Sequence, residues 1–364
     1  MAPSQSELTL EDLQRWQEKA SPRAARNPEV YFEELMGQFR KAVARSSTAS
    51  TRYFKIGPYR AKFLFACESL ASALTAPFQH LEIDPLESVD LMIGFWDSQT
   101  SGIPLQPPRW SDLQGSRLTL HGQGHFIQYD FVSEILHAYR SKDRCAVYWM
   151  KDAKHGYYSE LVCPVRAIFH WMGQESSLQL IHGGAIGDKD GAVILVGKGG
   201  SGKSSSCTAA LQSELFFLGD DYCLVDTGAP AKVYGLYAST KLNPDMLAMF
   251  PHLGDFRITT ERSDDKPSFL IYRPYKERLV PERPLKAILM PSVSGRKETR
   301  ILPASSIHAL QALAPSTLFQ STGLGDASFK KMAKLSRALP CFRLEVGTDL
   351  DEIPRSIGKL LKSL

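Results

Sequence analysis

The run Gly197-Lys198-Gly199-Gly200-Ser201-Gly202-Lys203-Ser204 constrains this chain more than any other feature. It fits G-x-x-x-x-G-K-[ST] at every fixed position, the pattern of a phosphate-binding loop set between a strand and a helix. The flanks agree with that context. Ala192-Val193-Ile194-Leu195-Val196 is an apolar run of buried-strand type, and Lys203 to Gln212 is a helix-compatible stretch of mostly small side chains. Glycines let successive backbone N–H groups converge on phosphate oxygens, and the helix N-terminus adds partial positive charge. In this reading Gly197, Gly199, Gly200, Ser201 and Gly202 form the cradle for a nucleoside triphosphate such as ATP. Lys203 reaches the β- and γ-phosphates, and Ser204, with Ser205 beside it, brings a hydroxyl to Mg²⁺. The bland alternative is a Gly-rich turn ahead of a helix that holds no nucleotide.

A second apolar run, Leu215-Phe216-Phe217-Leu218-Gly219, ends in Asp220-Asp221, seventeen residues after Lys203. A helix of about ten residues, a turn and a strand fill that interval, which puts the pair at the C-terminal end of a strand near the loop. One carboxylate can bind Mg²⁺, directly or through water, and the other can take a proton from an attacking hydroxyl; the residues leave open which does which, and the working assignment is Asp220 on the metal and Asp221 as base. Adjacent aspartates at a strand end are also ordinary turn or cap residues, and it is the loop that favours the chemical reading. Asp226 reads as a turn residue.

Around this core the texture of the chain changes twice. Residues 1–50 read as a helical amino-terminal segment, with a cap at Thr9 and an amphipathic stretch from Pro28 to about Ala44. Arg45 to Thr51 is a linker candidate. Residues 51–160 read as a small mixed β-rich domain of short apolar segments, among them Tyr53 to Ile56, Asp90 to Trp96, Ser116 to His121 and His125 to Tyr129. Residues 161–364 read as the α/β P-loop core, with helices over Ser305 to Ala314, Asp326 to Ala338 and Asp349 to Leu364 and a strand over Cys341 to Val346.

Composition excludes other classes. The net charge of +4 is small for 364 residues and the basic residues are interspersed with acidic ones, so nucleic acid is not an expected partner. Apolar runs such as Ala192 to Val196 fall far short of the roughly 20 residues a membrane span needs. The first residues lack signal-peptide features, which makes a cytoplasmic location the expectation. The six cysteines are scattered without Cys-x-x-Cys pairs and read as reduced core thiols. Association into a homo-oligomer is left open.

His182-Gly183-Gly184, the strand into Gly197 to Ser204, and Leu218-Gly219-Asp220-Asp221 together resemble the catalytic domain of HPr kinase/phosphorylase, a P-loop fold related to phosphoenolpyruvate carboxykinase. The resemblance implies an α/β catalytic core of that type. It implies phosphate and Mg²⁺ contacts for Lys203 and Ser204, base and metal roles for Asp221 and Asp220, and an active-site role for His182, which would orient the carboxylate or contact phosphate. A His before a Gly-Gly turn, taken alone, reads as structural. The Arg-Gly-rich signature that follows the Asp pair in that family has no counterpart here, where the chain reads Val233 to Leu242. The sequence resembles more closely the divergent HPr-kinase-like proteins, some of which modify ribosomally made peptides on serine.

Lys241 and Lys266 are candidates for a further cation over the transferring phosphoryl, with Arg262, Arg273 and Arg283 competing for the role. The leading expectation is an ATP- and Mg²⁺-dependent kinase acting on a Ser or Thr hydroxyl of a peptide or small protein. A small-molecule kinase and a non-catalytic ATP-binding regulatory module are the alternatives. Tyr129, Phe131, Tyr139 and Trp149 would either line a groove for a polypeptide acceptor or pack the small domain's own core.

Overall fold

The computed structural model describes residues 27–106, 113–114, 117–153, 158–258, 267–318 and 325–364. The helix expected around Thr9, and Arg262 and Lys266, lie outside the described residues. The chain is mixed α/β and separates into two compact units. One comprises the described residues within Met1–Phe54, Tyr59–Ala73 and Asp84–Tyr157, and the other comprises Lys55–Pro58, Leu74–Ile83 and Tyr158–Leu364.

In the first unit, helix α1 (Pro28–Arg45) starts where Asn27 caps it, its side chain accepting from the N–H groups of Glu29 and Val30, with Pro28 supplying a pre-set φ. Tyr31, Phe32, Leu35, Met36, Phe39 and Ala42 recur at helical spacing and are buried. They pack on a sheet of strands β1 (Ser50–Ile56), β2 (Tyr59–Phe65), β3 (Leu91–Asp97), β4 (Leu113–Gln114), β5 (Arg117–Gly122), β6 (His125–Asp130), β7 (Ile135–Arg140) and β8 (Cys145–Met150). Its order is β1-β2-β3-β8-β7-β6-β5-β4, parallel from β2 through β3 to β8 and an antiparallel meander beyond. The amphipathic helix, expected as a separate segment, is thus part of this unit's core. Tyr129, Tyr139 and Trp149 are 7%, 3% and 4% exposed, and Phe131 is half-buried against the same cluster, so none is left to line an open groove. Half-buried strands are rich in aromatics because such rings cover the pleat, and here that reading prevails over the groove.

The second unit begins its own fold with α2 (Tyr158–Val162) and α3 (Arg166–Met172), followed by the ten-residue strand β9 (Leu178–Gly187) and by β10 (Ala192–Val196), helix α4 (Lys203–Ala210), β11 (Phe216–Gly219), β12 (Tyr222–Asp226) and β13 (Lys232–Tyr234). A short ribbon pairs β14 (Ser239–Lys241) with β15 (Ser268–Leu270). Beyond short helical turns between residues 244 and 278 come β16 (Glu282–Val293), β17 (Arg300–Ala304), α5 (Ser306–Leu318), α6 (Gly325–Ala338), β18 (Cys341–Val346) and α7 (Glu352–Ser363). The sheet runs β10-β9-β12-β13-β16-β18-β17, and β10 also pairs with β16 in parallel. Alternation along β10 sets the layers. Val193 and Leu195 join a cluster with Ile353, Ile357 and Leu361 of α7, while Ala192, Ile194 and Val196 join one with Leu313 of α5 and Leu335 of α6. Both sheet faces are therefore covered, which explains why β10 reads as an unbroken apolar run.

His182-Gly183-Gly184 is not a turn but the middle of β9. The glycines serve close packing, because a Cβ on Gly184 would lie 2.3 Å from Cys207 Sγ of α4 and 3.1 Å from the Asp220 carbonyl oxygen. Gly184→Ala is expected to push α4 off the sheet and cost about 1–3 kcal/mol, read as a lower thermal midpoint of the full chain. An unchanged midpoint would show that the contact relaxes freely.

The segment 74–83 belongs to the second unit through Phe78, whose ring lies 6.0 Å from Phe169 and 5.3 Å from Tyr237, and through the bond from Ala238 N–H to the Pro77 carbonyl. A chain cut near Leu161 would lack these contacts.

Candidate active site

Strand β10 delivers the chain into the glycine-rich loop, and α4 leaves it. Gly197, Gly200 and Gly202 have φ of 144°, 77° and 106°. Gly202 caps α4 from the left-handed region, with Val346 Cγ2 3.2 Å from any added Cβ, so only glycine fits there without strain. Added Cβ atoms at Gly199 and Gly200 would meet nothing within 4 Å, leaving open space above the loop. Lys203 is 7% exposed and its Nζ donates to the carbonyls of Gly197 (2.7 Å) and Lys198 (3.1 Å), folded over the loop it belongs to. The Ser201 hydroxyl is buried without a hydrogen-bond partner, a polar group that a phosphate oxygen would satisfy. Ser204 and Ser205 lie half-buried in the first turn of α4.

The aspartate pair interrupts what would otherwise be one long strand. Both β11 and β12 run antiparallel to β9, Gly219 facing Ala185 and Tyr222 facing His182, so Asp220 and Asp221 form the break between them. The expected position at the end of a strand is therefore met by β11, but that strand is separated from β10 by the antiparallel β9. Breaking the ladder frees both side chains from strict alternation, and they diverge.

Asp220 is 2% exposed. Its Oδ2 accepts from the Thr240 hydroxyl (2.8 Å) and the Lys241 N–H (3.1 Å). Its Oδ1 is buried without a partner of hydrogen-bond geometry, although the Ser204 hydroxyl is near enough to favour the charged form. Burial, and then the charge of Asp221, raise this carboxyl above its ordinary value. A divalent cation would reverse that penalty, and an unpartnered carboxylate oxygen beside a loop serine suits one. Among the described residues no three His, Cys, Asp or Glu side chains are grouped to hold a metal. A P-loop magnesium is instead held by one hydroxyl and one carboxylate, the rest being phosphate and water, and Ser204 with Asp220 fits that donor set.

Asp221 keeps 20% of its side-chain exposure and faces different partners. His182 Nε2–H donates to Oδ1 at 3.1 Å and Lys241 Nζ sits on Oδ2 at 2.8 Å. The Cys163 thiol is 4.0 Å from Oδ2. Burial would raise the carboxyl, but the His182 hydrogen bond and the Lys241 charge outweigh it and hold Asp221 far below the usual carboxylate range. Such a group contributes stability that is fully present above the unfolded value near 4 and is lost only as pH falls through the folded value. Lys241 is held charged for the same reason, its burial opposed by Asp221. Burial keeps Cys163 a neutral thiol.

Of the expected site residues, His182, Asp221 and Lys241 thus contact one another, Asp220 bonds to the Lys241 N–H and lies near Ser204, and Lys203 bonds to its own loop. Arg283 does not join them, since it donates to the carbonyls of Asp188 and Glu282 and stacks on Phe216. Arg273 is exposed on a short helix, Tyr272–Tyr275. Asp226 ends β12 and accepts from Gly228 N–H, a turn residue as expected. Residues not foreseen are Thr208 and Thr240, whose hydroxyls lie 2.9 Å apart beside Asp220, and Arg166, which bonds to the Tyr222 hydroxyl at 3.1 Å. The Tyr222 ring in turn lies 5.3 Å from that of His182. The polar triplet Ser239-Thr240-Lys241 was the visible signal, since three polar residues on a buried ribbon need partners.

Replacing Lys241 by Met should leave Asp221 partly buried with one partner fewer. A loss on the order of 2 kcal/mol is expected, together with a carboxyl that titrates nearer its ordinary value. NMR titration of Asp221 checks this, and an unmoved carboxyl would assign its low value to His182 alone.

No protein-family model matches the chain, and no curated protein matches it in sequence. Among solved structures it is similar to the Hpr(Ser) kinase/phosphatase from Coxiella burnetii, at 9% identity over 51% of this chain and 89% of that one, with a TM-score of 0.29. A likeness that distant leaves both fold family and chemistry to be argued from the residues. No helix among the described residues is long and apolar enough to cross a membrane.

Proposed function

We propose that the second unit is an ATP- and Mg²⁺-dependent phosphotransferase of the HPr kinase type, passing the γ-phosphate to a Ser or Thr hydroxyl of a peptide or small protein. One observation carries this reading: adjacent carboxylates after the glycine-rich loop are differentiated, Asp221 held ionised between His182 and Lys241, Asp220 buried with its Oδ1 unpartnered and the Ser204 hydroxyl close to the carboxyl. A site that only sensed nucleotide would need the second arrangement but not the first.

The chain's own groups divide the work. The loop N–H groups and Lys203 bind the phosphates, which requires Lys203 Nζ to leave the Gly197 and Lys198 carbonyls. Ser204 and Asp220 would hold Mg²⁺, whose charge neutralises phosphate oxygens. Lys241, drawn to negative charge on the transferring group, uncovers Asp221 Oδ2. The acceptor oxygen bonds to the γ-phosphorus, the bond to the bridging oxygen of ADP breaks, and the hydroxyl proton passes to Oδ2. A carboxylate this acidic is a weak base, but a loose transition state asks for orientation and late proton removal more than for basicity. His182 keeps Oδ1 oriented.

The polypeptide acceptor rests on the family resemblance, because the aromatic residues that would have lined a groove are core. A small-molecule hydroxyl is the competing reading. Incubation of the full chain with γ-labelled ATP, Mg²⁺ and either Ser- and Thr-containing peptides or hydroxylated metabolites, read by mass spectrometry, separates them. Acid-stable label on peptide Ser or Thr is expected, whereas label on metabolites alone would reassign the acceptor.

A further inference from the structure

Asp220 stands at the end of a row of buried hydroxyls that the phosphotransfer scheme does not use. Thr208 of α4 is fully buried, Thr240 of β14 is 1% exposed, and their oxygens lie 2.9 Å apart. Thr240 Oγ1 is also 2.8 Å from Asp220 Oδ2. An ionised carboxylate only accepts, so the single Thr240 proton points to Oδ2 and its oxygen is left to accept from Thr208. The directions of both bonds follow, and both run toward the carboxylate. The Lys241 N–H, 3.1 Å from the same oxygen, comes from the next residue of the same strand. Oδ2 is thereby occupied, and Oδ1 is buried without a hydrogen-bond partner.

We infer that Thr240, backed by Thr208, is a positioning residue that aims Asp220 Oδ1 at the Mg²⁺ subsite and ties that aim to the helix carrying the P-loop. The inference rests on the proposed Mg²⁺-nucleotide site and assigns what orients its carboxylate. A valine in place of either threonine keeps the shape and removes the hydroxyl, so core volume is hardly altered. Without Thr240, Asp220 keeps only the Lys241 N–H on Oδ2 and can rotate about its terminal torsion, which is broad for aspartate.

The test is a Mg²⁺ titration of the ATP-induced thermal shift of the full chain, with a parallel series in EDTA. Thr240→Val is expected to raise the half-saturating Mg²⁺ about ten- to hundredfold, the scale of a hydrogen bond to a charged group. Its ATP shift without metal should match wild type. Thr208→Val, which leaves the Thr240 bond in place, should move the midpoint less, and Thr240→Ser should restore it. If Thr240→Val is too unstable to measure, the Thr208→Val and Thr240→Ser pair carries the test, expected as a shifted and a near-native midpoint. An unchanged midpoint in a folded valine variant, or Thr240→Ser behaving like Thr240→Val, overturns the inference while leaving the site intact. A wild-type ATP shift that ignores Mg²⁺ overturns the metal site itself, and the inference with it.

Discussion

Lys203→Ala is expected to abolish most of the thermal stabilisation that ATP with Mg²⁺ gives the wild-type chain. A ligand that binds only the native state adds RT ln(1 + [L]/Kd), about 2.7 kcal/mol at a hundredfold excess over Kd. That corresponds to a rise of several degrees for a chain of this size. The lysine is buried and already bonded to two carbonyls of its own loop, so alanine removes both the phosphate contact and a brace of the ligand-free loop. The variant's midpoint without nucleotide must therefore be measured beside the shift. Equal shifts in wild type and variant at saturating nucleotide would contradict the P-loop assignment.

The second large effect separates the two carboxylates. Asp221→Asn keeps the shape but loses the charge that His182 and Lys241 address, and phosphoryl transfer should fall by about 10²–10⁴-fold, the usual contribution of a general base. Nucleotide affinity should stay within a few-fold of wild type, because the oxygens of Asp221 are engaged by His182 and Lys241. Asp220→Asn should do the reverse, raising the Mg²⁺-nucleotide dissociation constant and lowering transfer through occupancy. Single-turnover kinetics with saturating and limiting nucleotide resolve the two. Equal losses of affinity in both variants would dissolve the division of roles, and full turnover by both would remove the pair from the chemistry.

Much of this site could be read from the sequence because its parts are local patterns. The loop and its flanking strand and helix all lie between Ala192 and Ala210, and a phosphate cradle needs its glycines at set offsets. The interval length put the Asp pair at the end of a strand, and it follows β11. What failed was anything decided by strand pairing. His182-Gly183-Gly184 looks like a turn by composition, yet Gly184 lies beneath α4 against Cys207 and Gly183 against the Leu195 carbonyl of β10, contacts that no local pattern encodes. Thr208, Thr240 and Asp220 are brought together from three separate elements, so their hydrogen bonds have no spacing to recognise. The long elements with clear periodicity, α1, α6 and β18, were visible at nearly their observed bounds. The aromatic residues of the first unit could not be divided between core and groove until the packing of α1 on β6 to β8 was known.

A crystal structure of the full chain with Mg²⁺ and a non-hydrolysable ATP analogue tests the central claim most directly. The account predicts the triphosphate in the loop from Gly197 to Ser204, Lys203 Nζ transferred from the loop carbonyls to phosphate oxygens, and Mg²⁺ bound by the Ser204 hydroxyl and Asp220 Oδ1. Asp221 should face the γ-phosphorus from the acceptor side, with Lys241 moved toward the γ-phosphate. A nucleotide bound elsewhere, or one in the loop with Asp221 still closed off by Lys241 and no metal on Asp220, would contradict it.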